Sequence, residues 1–326
     1  MPGAPGVSKV PKVPKVINDL LNFNFSNHST FRLSTITLGT SNSGYSKLFL
    51  IFDNYFAKLY KYVDSWYSGW YRFRKNYWSK KNHRNMLNNI RVEDVLFLDI
   101  ETVPESSSYE LLNPVMQILW DKKSKQFRSP EQKAGDVYER AGIYSEFGKI
   151  ICISVGLIRE KNPFIFRLKS FFGKDEKSLL SGFSLMLSKF SGTNKEAVLC
   201  AHNGKEFDFP YIARRMIING LIIPEILDNA GKKPWEIKLL DTMDLWKFGD
   251  YKNYASLDLL TSILGIPTPK DDIDGSMVAG IFYNEDNLER IVRYCEKDVL
   301  AIARVLLRFM NLPGINEDKI ESVTFL

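Results

Sequence analysis

One short stretch constrains this chain more than any other, the eight residues VLFLDIET at positions 95–102. Its four consecutive apolar residues predict a buried strand that runs directly into two carboxylates, Asp99 and Glu101. Because side chains alternate along a strand, Asp99 and Glu101 share one face while Ile100 points to the other. Two acids on one face repel each other. They are therefore either solvated at the strand end or neutralised by a divalent cation, and such oxygen ligands suit Mg²⁺ or Mn²⁺.

Length and composition favour a soluble globular protein with a substantial core. The 326 residues have room for one large domain or two modest ones. The three cysteines, Cys152, Cys200 and Cys295, lie far apart inside apolar runs, without the paired spacing of a zinc or redox motif. We expect buried thiols in a reducing compartment. No apolar run approaches the roughly 18 to 20 residues of a spanning helix, so we predict a cytoplasmic protein without membrane contact.

The net charge of +6 conceals a difference between two parts of the chain. Residues 1–85 contain 13 bases and 3 acids, whereas residues 86–326 contain 31 bases and 35 acids. The first part carries a Val-Pro-Lys repeat at 10–15, which favours an extended chain, and a segment at 46–81 crowded with aromatic and basic residues. Such a segment can bind single-stranded nucleic acid or an anionic membrane. Alternatively, a start at Met86 would make it non-native translated sequence. We predict a disordered or non-native tail over 1–85 and a folded domain over 86–326.

Beyond the first strand, apolar periodicity predicts alternating strands and helices. An insertion at 109–148 has helical character around 111–120 and 134–144, and strands at 149–158 and 164–168 complete an antiparallel meander with the first strand. The remaining expected elements are helices at 175–190, 208–219, 255–264 and 287–310, and strands at 197–201 and 239–245. This order indicates an α/β domain with a mixed sheet.

Two further segments carry acids at defined positions. Asp208, in NGKEFDFPYI at 203–212, lies where a strand passes into a helix, and an acid there is also a common helix cap. In the last helix, Tyr294 and Asp298 are four residues apart and lie on one face. Asp298 borders the apolar stripe of that helix, where an acid needs a cation or hydrogen bonds. Taken by itself, the helix slightly favours a solvated Asp298.

Taken together, the three segments resemble the three motifs of the DEDD superfamily of 3′-5′ exonucleases. Asp99-Ile100-Glu101 resembles the first motif, residues 203–208 the second, and Tyr294-x-x-x-Asp298 the third in its tyrosine form. The histidine form requires a His near the third motif, and the chain has none after position 202. Residues 203–215 and 256–266 are especially similar to the proofreading domain of family B DNA polymerases. The resemblance is greatest to stand-alone PolB-like exonucleases, over about residues 93–312, and implies a ribonuclease H-like fold with a mixed central sheet flanked by helices.

The resemblance also implies a site for two divalent cations, Mg²⁺ or Mn²⁺. Asp99, Glu101 and Asp298 would bind one cation, while Asp99 and Asp208 would hold the second directly or through water. Two such cations can support hydrolysis of a phosphodiester. A free tyrosine has a pKa near 10, so Tyr294 suits orientation of the attacking water better than proton removal.

Three further residues near these motifs have less defined roles. Asn203 would support the bound nucleotide or the metal-bound waters. Phe207 is a second candidate for contact with the nucleotide, although core packing explains it better. Asp241 would either support the metal ligands from behind or be an ordinary acid at a strand end.

The expected substrate is the 3′ end of a single strand, with DNA favoured over RNA. The excess of acids in residues 86–326 does not suit non-specific duplex binding, which depends on basic residues. Four residues are candidate phosphate contacts or ordinary surface residues: Arg214, Arg215, Lys233 and Lys252. Replication or repair proteins are possible partners.

Three alternatives stay open. An RNA exonuclease would use the same residues. A non-catalytic nucleic-acid-binding module predicts missing carboxylates, which are all present. The third alternative is a membrane-tethered or assembly role of the basic tail.

Overall fold

A computed structural model describes residues 87, 90–161, 163–233, 236–250, 252–267 and 273–325. The predictions for the tail at 1–85 fall on residues outside the described ones.

A six-stranded mixed sheet forms the centre of this domain. The strands are β1 (Val95–Pro104), β2 (Gly148–Lys161), β3 (Phe164–Phe172), β4 (Val198–Ala201), β5 (Leu239–Asp241) and β6 (Ile320–Ser322). They lie in the order β5-β4-β1-β2-β3-β6. The strands β1, β2 and β3 form the predicted antiparallel meander, and β4, β5 and β6 each pair in parallel with a neighbour.

Helices cover both faces of the sheet. They are α1 (Pro114–Ser124), α2 (Glu176–Thr193), α3 (Asp208–Ile218), α4 (Thr242–Lys247), α5 (Leu257–Leu264), α6 (Val278–Gly280) and α7 (Leu288–Phe309). The apolar residues of α2 and α3 pack on one face and those of α7 on the other. This is the predicted α/β class, a mixed sheet flanked by helices.

The alternation of side chains along β1 decides where the acids point. Leu96, Leu98 and Ile100 pack in the cluster that contains α2 and α3. Phe97 and Val103 pack in the clusters on the α7 face. Asp99 and Glu101 lie at alternate positions between Phe97 and Val103 and therefore on the same face of β1. Both carboxylates face α7, as the alternation of side chains along a strand predicts.

Three elements differ from the sequence-based expectation. The insertion residues expected to be helical at 134–144 form a 3₁₀ segment, Gly135–Ile143, packed beside Trp120. The strand expected over 239–245 ends at Asp241, whose carboxylate accepts the Met243 and Asp244 amides and so caps α4. Strand β6 was not expected, since three residues pairing with β3 alone leave little pattern.

The cysteines are free and buried, as predicted. Among the described residues, no helix is both long enough and apolar enough to cross a membrane.

Candidate active site

Four carboxylates from three elements converge on the α7 face of the sheet. Strand β1 contributes Asp99 and Glu101, the first residue of α3 is Asp208, and the middle of α7 contributes Asp298. Each of the other three carboxylates raises the pKa of Asp99 through its charge. The structure thus brings the four acids into one cluster although as many as 199 residues separate Asp99 from Asp298 in the chain.

The centre of this acidic cluster is compact. One oxygen each of Asp99 and Glu101 and the Cys295 sulfur lie within 4.8 Å of one another. The Cys295 thiol donates to the Asp99 backbone oxygen and to Oδ2, both at 3.4 Å. Cys295 therefore holds the Asp99 carboxylate in place.

The sequence predicts Cys295 only as a buried thiol, without a role at the site. Its signal in the sequence is its spacing, because residues 295 and 298 are three apart and share a helix face with the metal-ligand candidate Asp298.

Burial and mutual repulsion make these acids hard to ionise. Burial is the largest cause of the raised pKa of Asp99, followed by the charges of Asp208 and Asp298. The pKa of Glu101 is also raised, by burial and then by Asp298. No cation of the described residues offsets either shift. A cluster of this kind is stable in its ionised form only with added positive charge.

Asp208 is 3% exposed and occupies the first turn of α3. It does not cap that helix, because no side chain caps it and Phe207 precedes it as the N-cap residue. Burial raises the pKa of Asp208 to about 7, while hydrogen bonds from its own amide and that of Ile100 oppose the rise. The capping alternative is therefore wrong, and the Asp208 carboxylate lies against β1.

Tyr294 lies one helical turn before Asp298 and is partly buried. Burial, followed by the charges of Asp298 and Glu101, raises the pKa of the Tyr294 hydroxyl far above its usual value. The side chains of Tyr294 and Asp298 also hydrogen-bond. Tyr294 consequently stays protonated at neutral pH and can donate a hydrogen bond, but it is a poor base.

Asn203 occupies a strained turn directly after β4. Its φ of 60° is left-handed, which is uncommon for a residue other than glycine. Its Oδ1 is buried with no hydrogen-bond partner in the described part of the chain. An orphaned buried acceptor is costly, so this atom is available for a donor that a ligand or bound water supplies.

Asp241 holds the Asn203 turn from behind. Its carboxylate accepts the Asn203 and Lys205 amides at 3.0 and 3.1 Å, in addition to capping α4. Gly204, which follows Asn203, tolerates no side chain, because a Cβ at this position would lie 2.4 Å from the Cβ of Ala201. Asp241 thus positions the turn rather than being a solvated strand-end acid.

Phe207 packs in the core. Its ring lies 5.3 Å from that of Tyr211 and belongs to the cluster beneath α2 and α3. Phe207 directly precedes Asp208 in the chain. The packing of its ring in the core is enough to explain an aromatic residue at this position.

One of the candidate phosphate contacts is excluded by burial. Arg215 is 5% exposed and pairs with Glu176 and Glu105. Its expected surface role is wrong. Arg214, Lys233 and Lys252 are exposed and remain predictions.

The donor set fits divalent cations. The cluster offers carboxylate oxygens, the ligands that Mg²⁺ and Mn²⁺ prefer, and an orphaned amide oxygen lies in the turn that precedes Asp208. The predicted metal ligands are Asp99, Glu101, Asp208 and Asp298. Their carboxylates would repel one another when no metal ion is bound.

Comparison with known proteins gives one family match. Residues 143–323 match the family described as "Predicted 3'-5' exonuclease related to the exonuclease domain of PolB". The match includes Asp208, Tyr294 and Asp298 and begins after β1. No protein among curated sequences matches the chain.

Among solved structures, the chain is similar to the family B DNA polymerase from the hyperthermophilic archaeon Pyrobaculum calidifontis. The sequence identity is 16% and the TM-score 0.39, over 66% of this chain and 25% of that polymerase. The chain therefore spans a quarter of the polymerase it matches.

Proposed function

The chain belongs to the family of predicted 3′-5′ exonucleases related to the exonuclease domain of PolB, and we propose that it releases nucleotides from the 3′ end of single-stranded DNA. The observation that carries this proposal is the acidic cluster, in which Asp99, Glu101 and Asp208 have raised pKa values through burial and the charges of neighbouring acids, Asp298 among them, and no basic residue contributes to the three shifts. Burying like charges together destabilises a fold, so the arrangement suits a protein that binds cations there.

Two divalent cations, Mg²⁺ or Mn²⁺, would be held by Asp99, Glu101, Asp208 and Asp298. When bound, such ions polarise the scissile phosphate, activate a water and stabilise the leaving 3′ oxygen. Asp99 lies at the centre of the cluster, since all three other acids act on its pKa. Asp99 would therefore help to hold both cations.

The remaining groups of the site position substrate and water. Tyr294 would turn its hydroxyl hydrogen from Asp298 to the attacking water or to a phosphate oxygen, since its raised pKa keeps the proton on the phenolic oxygen. Asn203 would present its orphaned Oδ1 to the terminal nucleotide or to a bound water. Cys295 would keep the Asp99 carboxylate in the orientation that binds the cations.

The test is a nuclease assay with 5′-labelled DNA and RNA strands of the same sequence, in Mg²⁺ or Mn²⁺ and in chelator. We expect a ladder that shortens from the 3′ end of DNA, lost in chelator and lost in Asp99→Ala. The matched control Asp318→Asn changes an exposed acid that does not belong to the cluster and should degrade DNA as wild type does. Digestion of a closed circle, or full activity of Asp99→Ala, would contradict the proposal. Faster shortening of RNA than of DNA would identify the RNA exonuclease instead.

A further inference from the structure

A large cavity lies at the end of β1 beyond the acidic cluster. Its volume is about 1030 Å³, and residues of the 109–148 insertion, the start of β2 and the facing parts of α2 and α3 line it. Apolar side chains form part of its wall: Met116, Leu119, Phe147 and Ile218. Leu119 and Ile218 are 46% and 53% exposed, so this wall is open to a ligand.

Five lysines also line the cavity: Lys122, Lys123, Lys149, Lys174 and Lys177. Of the described residues, none forms an ion pair with any of them except Asp286, which pairs with Lys174. Lys123 and Lys149 instead lie over aromatic rings.

The carboxylates of the cavity offset only part of this positive charge. Glu105 and Glu176 are paired with Arg215, and Asp175, which caps α2, also interacts with the charge of Lys177. The remaining acid is Glu146. This positive region contrasts with the whole of residues 86–326, in which acids outnumber bases by 35 to 31.

Lys149 connects the cavity to the acidic cluster. Lys149, on β2, pairs in register with Val103 of β1. Val103 lies two residues beyond Glu101, which is about 7 Å along the strand. The Lys149 ammonium lies 5.4 Å from the ring centroids of Phe282 and Tyr283, and the Tyr283 hydroxyl donates to the Pro104 carbonyl at 2.6 Å. The end of β1 and its partner Lys149 therefore lie between the cavity and the acidic cluster.

We infer that this lysine-lined cavity binds the single-stranded nucleic acid upstream of the 3′ terminus, with the phosphates against the lysines and the bases against the apolar wall. The inference rests on the proposed function, because it assigns a path to the same substrate. Grooves that bind single strands without sequence preference combine positive charge with apolar or aromatic contact surfaces for the bases, and both are present here.

The choice of a nucleic acid rests on charge complementarity. Four cavity lysines without an ion pair suit a ligand that carries a negative charge at every repeat. The apolar wall between them suits flat bases better than the carboxylates of an acidic peptide.

The test compares two double variants that make the same charge change. Lys122→Glu with Lys177→Glu alters exposed lysines on α1 and α2 at the cavity. The control, Lys189→Glu with Lys195→Glu, alters one exposed lysine near the other end of α2 and one two residues beyond that end. Residue 189 is about 18 Å from residue 177 along the helix axis.

Three quantities are measured for each variant. The first is the Kd for a 16-nucleotide single strand in chelator, where no cleavage occurs, and the second is the dependence of that Kd on salt concentration. The third is hydrolysis of the p-nitrophenyl ester of thymidine 5′-monophosphate in Mg²⁺ or Mn²⁺, since this substrate has no strand to reach the cavity.

We expect the cavity variant to bind the strand about tenfold or more weakly and to lower the slope of log Kd against log salt by about 1.4, the value for two phosphate contacts on a single strand. Hydrolysis of the ester should stay at the wild-type rate, and the control variant should bind within twofold of wild type. If charge reversal prevents folding, judged by circular dichroism, Lys122→Gln with Lys177→Gln serves as the test with the same expected slope.

Three results would overturn the inference: an unchanged Kd and salt slope in the cavity variant, an equal loss of binding in the control variant, or a poly-glutamate peptide that competes as well as the oligonucleotide. The proposed function fails separately if wild type hydrolyses neither the ester nor a strand, and strand binding that depends on Lys122 and Lys177 would still support the cavity assignment.

Discussion

Glu101 and Glu176 are almost equally buried, at 8% and 7% exposed, in opposite electrostatic surroundings. Glu176 accepts hydrogen bonds from the Ile150 amide, the Arg215 guanidinium and the Asn219 amide group. No hydrogen bond or ion pair to the Glu101 side chain is present among the described residues, and its surroundings contain the charges of Asp298 and Asp208.

The difference separates an acid that belongs to the structure from one that belongs to a binding site. A buried carboxylate with an arginine and two amide donors is compensated within the chain. A buried carboxylate beside other carboxylates is compensated only from outside. Loss of a side-chain partner of Glu176, Arg215 or Asn219, should therefore lower the stability of the fold. Changes around Glu101 should instead affect cation binding and activity.

The largest expected effect is the loss of nuclease activity in Asp208→Asn. Loss of a metal ligand removes several kcal/mol of transition-state stabilisation, which corresponds to a decrease in rate of about a thousandfold or more. Initial rates on a labelled strand measure the effect, with exposed Glu196→Gln as the control. A rate within tenfold of wild type would remove Asp208 from the site.

Arg215→Met should destabilise the fold by about 3 to 5 kcal/mol, because it leaves Glu176 buried and unpaired. The double variant Arg215→Met with Glu176→Met should recover most of that loss. The neighbouring residue Arg214 is exposed, and Arg214→Met should change the free energy of unfolding by only about 0.5 kcal/mol or less. Urea unfolding measures all three, and equal effects at 214 and 215 would refute the structural role.

The stability of the metal-free protein should fall as the pH rises through the range in which Asp208 titrates. Its pKa is about 7 in the folded chain and about 3.9 in the unfolded chain, so the unfolded state loses its proton first. The stabilising contribution is full below about pH 4 and is lost as the pH rises to about 7, by a few kcal/mol at most.

The measurement is the difference in unfolding free energy between wild type and Asp208→Asn in chelator from pH 4 to 8, in which the contributions of other groups largely cancel. Wild type should lose stability relative to the variant over this range, and saturating Mg²⁺ should reverse the loss at pH 8. A difference that does not change with pH would contradict the raised pKa.

The smallest expected effect concerns Cys295. Because its thiol donates to Asp99 Oδ2, Cys295→Ala should weaken cation binding by about tenfold, the order seen when a group that orients a metal ligand is removed. Cys295→Ser keeps a donor and should stay closer to wild type. Titration of activity with Mn²⁺ and calorimetric binding measure this, and identical affinities for the Ala and Ser variants would exclude the positioning role.

Much of the fold follows from local pattern. The run at 95–100 is apolar and β-branched enough to predict β1, and helix α7 is visible from its regular apolar stripe. The short elements were less predictable, because β6 has three residues and pairs on one side only, and the 3₁₀ segment Gly135–Ile143 depends on packing beside Trp120. Local periodicity decides long elements, whereas neighbours decide short ones.

The convergence of the four acids was predictable from the sequence, and the groups that support them were less so. Spacing placed Asp99, Glu101 and Asp298 on the correct faces. Arg214 is exposed, whereas Arg215 is buried and paired with Glu176. Spacing could not show this, because the two arginines are adjacent on α3 and differ only in the direction in which their side chains point.

The sequence by itself therefore determined the order of the main elements, the faces on which the acids lie and the family to which the chain belongs. Only the tertiary structure decided which acids are compensated: Glu176 by Arg215, and Asp99, Glu101 and Asp208 by no basic residue of the described chain. The physical reason is that backbone pattern is local, whereas the electrostatic energy of a buried charge depends on groups that folding brings from distant parts of the chain.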